Sequence, residues 1–436
     1  MRLTTMEQLV GQAIGITTLP LRRDSIEAYQ LRQLKERIAY CRARSSLYRD
    51  RLNAAGIGDI TSLADLPSLP LTSSEDVRQH GLAMVCVSQD EIARIITLHS
   101  SGTTGAPKRL FFTEEDIEAT RRFFQIGMQN LVAPGQTVAI LLPGATPDST
   151  GHLLAVALER MQVLSHIIGL VDNPEQAARQ LAQVRPDVLV GFPVQILAIA
   201  QTAAHHGLDL GKICSVLLCS DYIPESLSLR LGALLGCEVF SHYGTVETGL
   251  GGGVDCAAHQ GAHLRAHDLL VEVIDQDTAK PMEPGQWGEL VVTTLNRTGM
   301  PLIRYRTGDL GRLLPGPCPC GSYIQRLDKI KGRIGQIRTL QSGKQLTLAE
   351  LDELLFTVPG LLDFKASLRT VNRQETLFVD LSVLPGLEEN ILAQAAKAVA
   401  PLRTDKHPGI ALALSPGALV QRGKRILEDQ RKDKQA

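Results

Sequence analysis

Short apolar runs alternate with amphipathic stretches through the middle of the chain. Residues 137–142, 163–168, 187–192, 215–219 and 238–243 read as strands. Between them, 151–162, 174–184, 194–206 and 224–235 carry helical periodicity. Strands apolar at nearly every position, each followed by a helix, predict a parallel sheet covered on both faces.

The flanks differ. Residues 24–55 predict one long helix, with Ile26, Tyr29, Leu31, Leu34 and Ile38 as its apolar stripe. Residues 94–98 and 110–113 read as strands, the second leading into a helix opened by Thr113 and the acidic Glu114, Glu115 and Asp116. Residues 269–274, 288–294 and 301–305 are strand-like and split by turns such as Pro284-Gly285, which predicts antiparallel sheet. Beyond 331 comes a smaller segment, with a helix near 348–356 and strands near 363–369 and 376–383. The expected fold is α/β. A large N-terminal domain, 1–330, combines parallel α/β sheets with an antiparallel β-rich subdomain. A small α+β domain, 331–436, follows a boundary near 328–334.

Composition narrows the function classes. The formal net charge of -1 argues against general nucleic-acid or anionic-membrane binding, both of which need a basic surface. No apolar run is long enough to span a bilayer. The N-terminus lacks an apolar signal core, so a cytoplasmic location is expected. Eight cysteines scattered over 436 residues do not form a disulfide scaffold. Cys214, Cys219 and Cys237 sit in strand-like runs as small hydrophobes.

The chemistry concentrates at 99–108, His-Ser-Ser-Gly-Thr-Thr-Gly-Ala-Pro-Lys. Glycines let backbone N–H groups turn toward an anion, hydroxyls donate to phosphate oxygens, and Lys108 adds a point charge. Pro107 before the lysine excludes a Walker A motif. A plain Ser/Gly/Thr surface turn is the competing reading. Four elements follow in order. His242-Tyr243-Gly244-Thr245-Val246-Glu247 ends a parallel strand, where open α/β sheets bind ligands. Its tyrosine is placed to stack on a base and its carboxylate to bind Mg²⁺. Tyr305-Arg306-Thr307-Gly308-Asp309 offers an aspartate for ribose hydroxyls. Asp328-Lys329-Ile330-Lys331-Gly332-Arg333 marks the boundary, and Gln421-Arg422-Gly423-Lys424-Arg425 lies near the C-terminus. Each alone reads equally well as a turn or a solvated basic cluster; the series does not.

The series resembles the adenylate-forming superfamily of acyl-CoA synthetases, luciferases and adenylation domains. Within it, Pro301-Leu-Ile-Arg-Tyr-Arg-Thr-Gly-Asp309 and Pro315-Gly-Pro-Cys-Pro-Cys-Gly321 resemble the phenylacetate–CoA ligase-like branch. The resemblance implies ATP, Mg²⁺ and CoA as cofactors, with a carboxylic acid, by default aryl or arylacetic, as the small-molecule partner. It implies that Ser100, Ser101, Gly102, Thr103, Thr104, Gly105 and Lys108 wrap the ATP phosphates and that Glu247 holds Mg²⁺. Tyr243, with Gly244 and Thr245, would flank the adenine, and Asp309 would bind the ribose. Arg333 would reach the nucleotide from the boundary, and Lys424 would stabilise charge as the carboxylate attacks the α-phosphate. The small domain would rotate between half-reactions. A homodimer is compatible with this reading. The acid pocket is expected around 144–152, Phe192, 220–222 and 242–249.

Four positions depart from the family pattern. Val246 stands where a Thr or Ser is usual, with a threonine shifted to 245. Ile334-Gly335-Gln336 replaces an acidic pair after the boundary Gly-Arg. The C-terminal motif is compressed to Gly423-Lys424-Arg425-Ile426. Cys219-Ser220-Asp221-Tyr222 replaces the usual Gly-Gly-Glu. Cys256, His263, Cys318 and Cys320 match a closed tetrahedral zinc site, as similarly placed sets do in this branch. His259 and His267 are alternative nitrogen ligands, and the competing readings are four unrelated residues or a Cys318–Cys320 redox pair. Two other functions compete as well: adenylyl transfer to a non-CoA acceptor such as a deazaflavin, and a degenerate nucleotide-binding protein.

Overall fold

The computed structural model describes residues 3–98, 107–372, 374–402, 409–415, 417 and 419–431. The chain forms two compact units. One contains Met1–Asn130 and His242–Ile330; the other contains Leu131–Ser241 and Lys331–Ala436.

In the first unit the expected long helix is two. Arg23–Arg44 stops at Ser45, whose side chain accepts from the Tyr48 N–H and caps Ser46–Ala54. The hydroxyl at 45 competes for backbone hydrogen bonds, which the apolar stripe did not reveal. Arg94–Leu98 and Lys108–Phe112 form an antiparallel hairpin with Leu98 opposite Lys108. Thr113 and Asp116 then form a capping box on Glu114–Met128. Leu269–Ile274, Gly288–Thr294 and Tyr305–Gly311 make the antiparallel sheet. Its third strand starts where the expected strand 301–305 ended, because Pro301 lacks a ladder donor and Arg304 adopts a left-handed φ of 45°.

The second unit carries the parallel sheet. Leu164–Ile167, Thr137–Leu141, Val188–Gly191 and Ser215–Leu218 pair in that spatial order, all parallel, and Ser215–Leu218 pairs with residues 238–241. Val188–Gly191 and Ser215–Leu218 are buried at every position, as strands covered on both faces must be. Helices Thr150–Glu159, Pro174–Val184, Pro193–His205 and Glu225–Leu235 supply the crossovers. A second sheet, Gly409–Leu414, Gln374–Val383, Leu361–Val371 and Leu427–Asp429, is flanked by Leu348–Leu355 and Glu388–Ala398.

Residues 331–436, expected as a separate small domain, here share a core with 131–241. Leu197, Leu218, Phe356, Leu361 and Phe364 belong to one buried cluster. Helix Pro193–His205 is buried along nearly its whole length. Its Gln201 side chain donates to the Leu361 carbonyl and accepts from the Gly360 N–H, both at 2.7 Å.

Candidate active site

Residues 99–106, with Ser100, Ser101, Gly102, Thr103, Thr104 and Gly105, lie outside the described residues. Lys108 is described at the start of the returning hairpin strand. It forms an ion pair with Glu247 and donates to the Tyr305 hydroxyl at 3.2 Å.

Glu247 sits in a turn held by its neighbours. The Thr245 N–H donates to the Thr248 hydroxyl at 2.9 Å, and the Thr248 N–H donates back to the Thr245 hydroxyl at 3.3 Å. The Leu250 N–H closes the turn on the Thr245 carbonyl at 2.8 Å. Gly244 is required there, since a Cβ would lie 2.6 Å from the Leu250 carbonyl oxygen. The threonine displaced to 245 thus serves the turn, while Val246 leaves no hydroxyl at its own position. Tyr305 donates to Glu247 Oε1 at 2.9 Å. Burial pushes the Glu247 carboxyl up, but the Lys108 charge and hydrogen bond outweigh it and hold the group at about 2. The carboxylate is therefore ionised although it is buried.

Tyr243 and Asp309 meet. The tyrosine hydroxyl donates to Asp309 Oδ2 at 3.2 Å. The Asp309 N–H donates to the Thr307 hydroxyl at 3.0 Å. Thr307 and Asp309 fall on the buried side of the strand by its period-two alternation, and Gly308 between them has a φ of +75° where the pairing with the neighbouring strand is irregular. Lys108, Glu247, Tyr305, Tyr243 and Asp309 all belong to the first unit. Sequence reading placed four of them; it missed Tyr305, which reads as one more buried strand aromatic.

Further polar groups surround this turn. Buried Arg265 donates to the Thr248 carbonyl at 3.0 Å. Burial pushes the Arg297 guanidinium down to about 10, and its Nη1 has no hydrogen-bond partner among the described residues. Neither nitrogen of His242 has one either; burial pushes that ring down to about 4 and keeps it neutral.

Arg333 and Lys424 belong to the second unit. Arg333 is half-buried in the short strand Gly332–Arg333. Lys424 is exposed, whereas the next residue, Arg425, is buried. Ser220 adopts φ +72°, a left-handed strain for a non-glycine residue at the end of a parallel strand.

The four expected metal ligands converge. Cys256, His263, Cys318 and Cys320 are buried, and their ligand atoms lie within 4.8 Å of one another. Cys256 Sγ is 3.7 Å from Cys318 Sγ, and Cys320 Sγ is 3.6 Å from His263 Nε2. None is in a disulfide. Zinc–sulfur bonds of about 2.3 Å in a tetrahedron give S···S edges of about 3.8 Å, so the donor set fits zinc. Burial pushes His263 down to about 4, leaving the neutral imidazole that ligation requires. Of the alternative ligands, His259 bonds to Asp255 at 3.1 Å and His267 lies 3.3 Å from the Asp268 carboxylate.

A family model described as "AMP-binding enzyme" matches residues 13–298. A curated phenylacetate-coenzyme A ligase from Thermus thermophilus is 29% identical over 361 residues, covering 80% of this chain and 78% of that protein. One from Aromatoleum evansii is 28% identical over 376 residues, with 83% of each chain covered. A crystal structure of 2-hydroxyisobutyryl-CoA ligase in its postadenylation state shares the fold, with a TM-score of 0.81 at 20% identity, covering 95% of this chain and 91% of that one. The same ligase in its thioesterification state superposes with a TM-score of 0.68.

Proposed function

The chain belongs to the AMP-binding enzyme family, and on that premise we propose that it is an acid–thiol ligase that works through an acyl-adenylate. A carboxylate attacks the α-phosphate of ATP and releases pyrophosphate. CoA thiol then displaces AMP and leaves the acyl-CoA. The observation that carries this reading is the convergence of Lys108, Tyr305 and Tyr243 with two buried carboxylates, Glu247 and Asp309.

In this reading Lys108, with Ser100 to Gly105, binds the triphosphate. Tyr243, supported by the Gly244–Thr245 turn, flanks the adenine, and Asp309 takes the ribose hydroxyls. Arg333 approaches the nucleotide from the boundary. Glu247, ionised at neutral pH, fits Mg²⁺ and would hold it; bound Mg²⁺ neutralises phosphate charge. Lys424 stabilises the charge that builds up during adenylation. Cys256, His263, Cys318 and Cys320 would hold a structural zinc, since four protein donors leave no open position. Residues 331–436 act as a lid that exchanges its contacts with 131–241 between half-reactions.

The acid is proposed to be aryl or arylacetic, because the curated relatives are named phenylacetate-coenzyme A ligases. Those names also favour CoA over a deazaflavin acceptor. A degenerate nucleotide binder would draw its support from Val246; the ionised Glu247 and the intact Thr245 turn favour catalysis instead. A pyrophosphate-release screen over carboxylic acids, without CoA, tests the first half-reaction. Release with an arylacetic acid supports the proposal, and silence across a broad panel refutes it.

A further inference from the structure

We propose that Arg425 is a positioning residue: it anchors the loop that presents Lys424, through Asp363 and Asp352. This rests on the reading of Lys424 as the adenylation lysine.

The loop is gripped at both ends by one carboxylate. Asp363 Oδ2 accepts from the Gln421 N–H at 2.9 Å, and its Oδ1 accepts from Arg425 Nε at 2.9 Å. Arg425 Nη1 donates to Asp352 Oδ1 at 2.5 Å, and Nη2 to the Phe364 carbonyl at 3.4 Å. The guanidinium also lies 4.4 Å from the Phe364 ring centroid and 5.2 Å from that of Phe356. Outside the grip, Gln195 Nε2 donates to the Gln421 carbonyl at 2.9 Å, and Leu427–Asp429 is fixed by parallel pairing with Ala366–Leu368. Between the two anchors, Arg422, Gly423 and Lys424 face solvent. Arg422 pairs at the surface with Asp172 at 2.6 Å.

The chemistry is costly for mere packing. The Arg425 side chain is 5% exposed, and Asp352 and Asp363 are 2% and 3% exposed. Burial, with the nearby Asp221 and Asp363 carboxylates, pushes the Asp352 carboxyl up to about 7 despite the attraction of Arg425. A buried, hydrogen-bonded cluster of ionisable groups stabilises less than an apolar replacement of equal shape, and its best-attested use is fixing one geometry. Only a planar fork reaches both carboxylates and the carbonyl while lying against two rings; an ammonium cannot. Arg425 also settles which cation of the compressed motif is presented, because it points inward and Lys424 outward.

The test uses full-length Arg425→Lys and Asp352→Asn, the second removing the ionisable carboxyl while keeping shape. Acid-dependent pyrophosphate exchange reports adenylation, and thioester formation from supplied acyl-adenylate reports the second step. Both are measured well below the melting temperature of each variant. Arg425→Lys is expected to lower the kcat of adenylation roughly 100-fold, the scale of a misplaced reacting group, with KM for ATP and thioesterification nearly unchanged. Asp352→Asn should show a smaller loss of the same kind. Equal loss of both steps, or loss of neither, overturns the proposal. Lys424→Ala keeps the two ideas apart: if it retains adenylation, it is the lysine assignment that fails.

Discussion

Tyr305 donates a 2.9 Å hydrogen bond to the same Glu247 oxygen that pairs with Lys108. The tyrosine is 1% exposed, so it aims the carboxylate from a fixed position. Tyr305→Phe keeps the ring and removes this bond together with the one the hydroxyl accepts from Lys108. A hydrogen bond to a charged group contributes about 1.5–3 kcal/mol. Steady-state kinetics, measured well below the melting temperature of the variant, should therefore show kcat/KM for MgATP reduced by about tenfold or more. An unchanged kcat/KM means that Tyr305 does not orient Glu247 in the working enzyme.

Lys108→Ala takes away the cation facing a buried carboxylate. Breaking a buried pair from one side costs about 3–5 kcal/mol, so the denaturant midpoint should fall. The apparent affinity for ATP should fall with it. Stability loss with unaltered ATP affinity and turnover would restrict Lys108 to a structural part.

Acid stability should report the same pair. The Glu247 carboxyl is held at about 2, below its ordinary 4.5, chiefly by Lys108 working against burial. A lowered carboxyl contributes stability above its unfolded value and loses it as pH falls toward the folded one. The shift is worth on the order of 3 kcal/mol at about 1.4 kcal/mol per unit. The stability advantage of the parent protein over Glu247→Gln should shrink between pH 5 and pH 3 in urea titrations. An advantage constant over that range contradicts the pairing.

Protein purified without chelator should carry about one zinc per chain. Cys318→Ser should lose the metal and melt earlier, as structural zinc contributes to folding directly. Metal-free parent protein with an undiminished melting temperature would argue for four unmetallated side chains.

The parallel sheet was legible because its strands are apolar throughout and its crossovers carry helical periodicity. The turn around Glu247 was legible in type, since Gly244 allows a contact that no other residue does. Other features were hidden for physical reasons. Ser45 interrupts a continuous apolar stripe with a cap that only backbone geometry exposes. Tyr305 acts through a hydroxyl on an otherwise ordinary buried strand. Asp363 and Arg425 are 62 residues apart, and nothing local marks them as partners. The shared core of 131–241 and 331–436 is likewise a long-range fact, absent from any window of sequence.

The central claim is that this chain couples ATP cleavage to acid–thiol ligation through an adenylate. The most direct measurement incubates the protein with MgATP, phenylacetate and CoA, and quantifies nucleotides and thioesters by mass spectrometry. The account predicts AMP and phenylacetyl-CoA in equal amounts, with an enzyme-bound acyl-adenylate when CoA is withheld. ADP in place of AMP, or AMP without any acyl-adenylate or thioester across a panel of aryl acids, would contradict it.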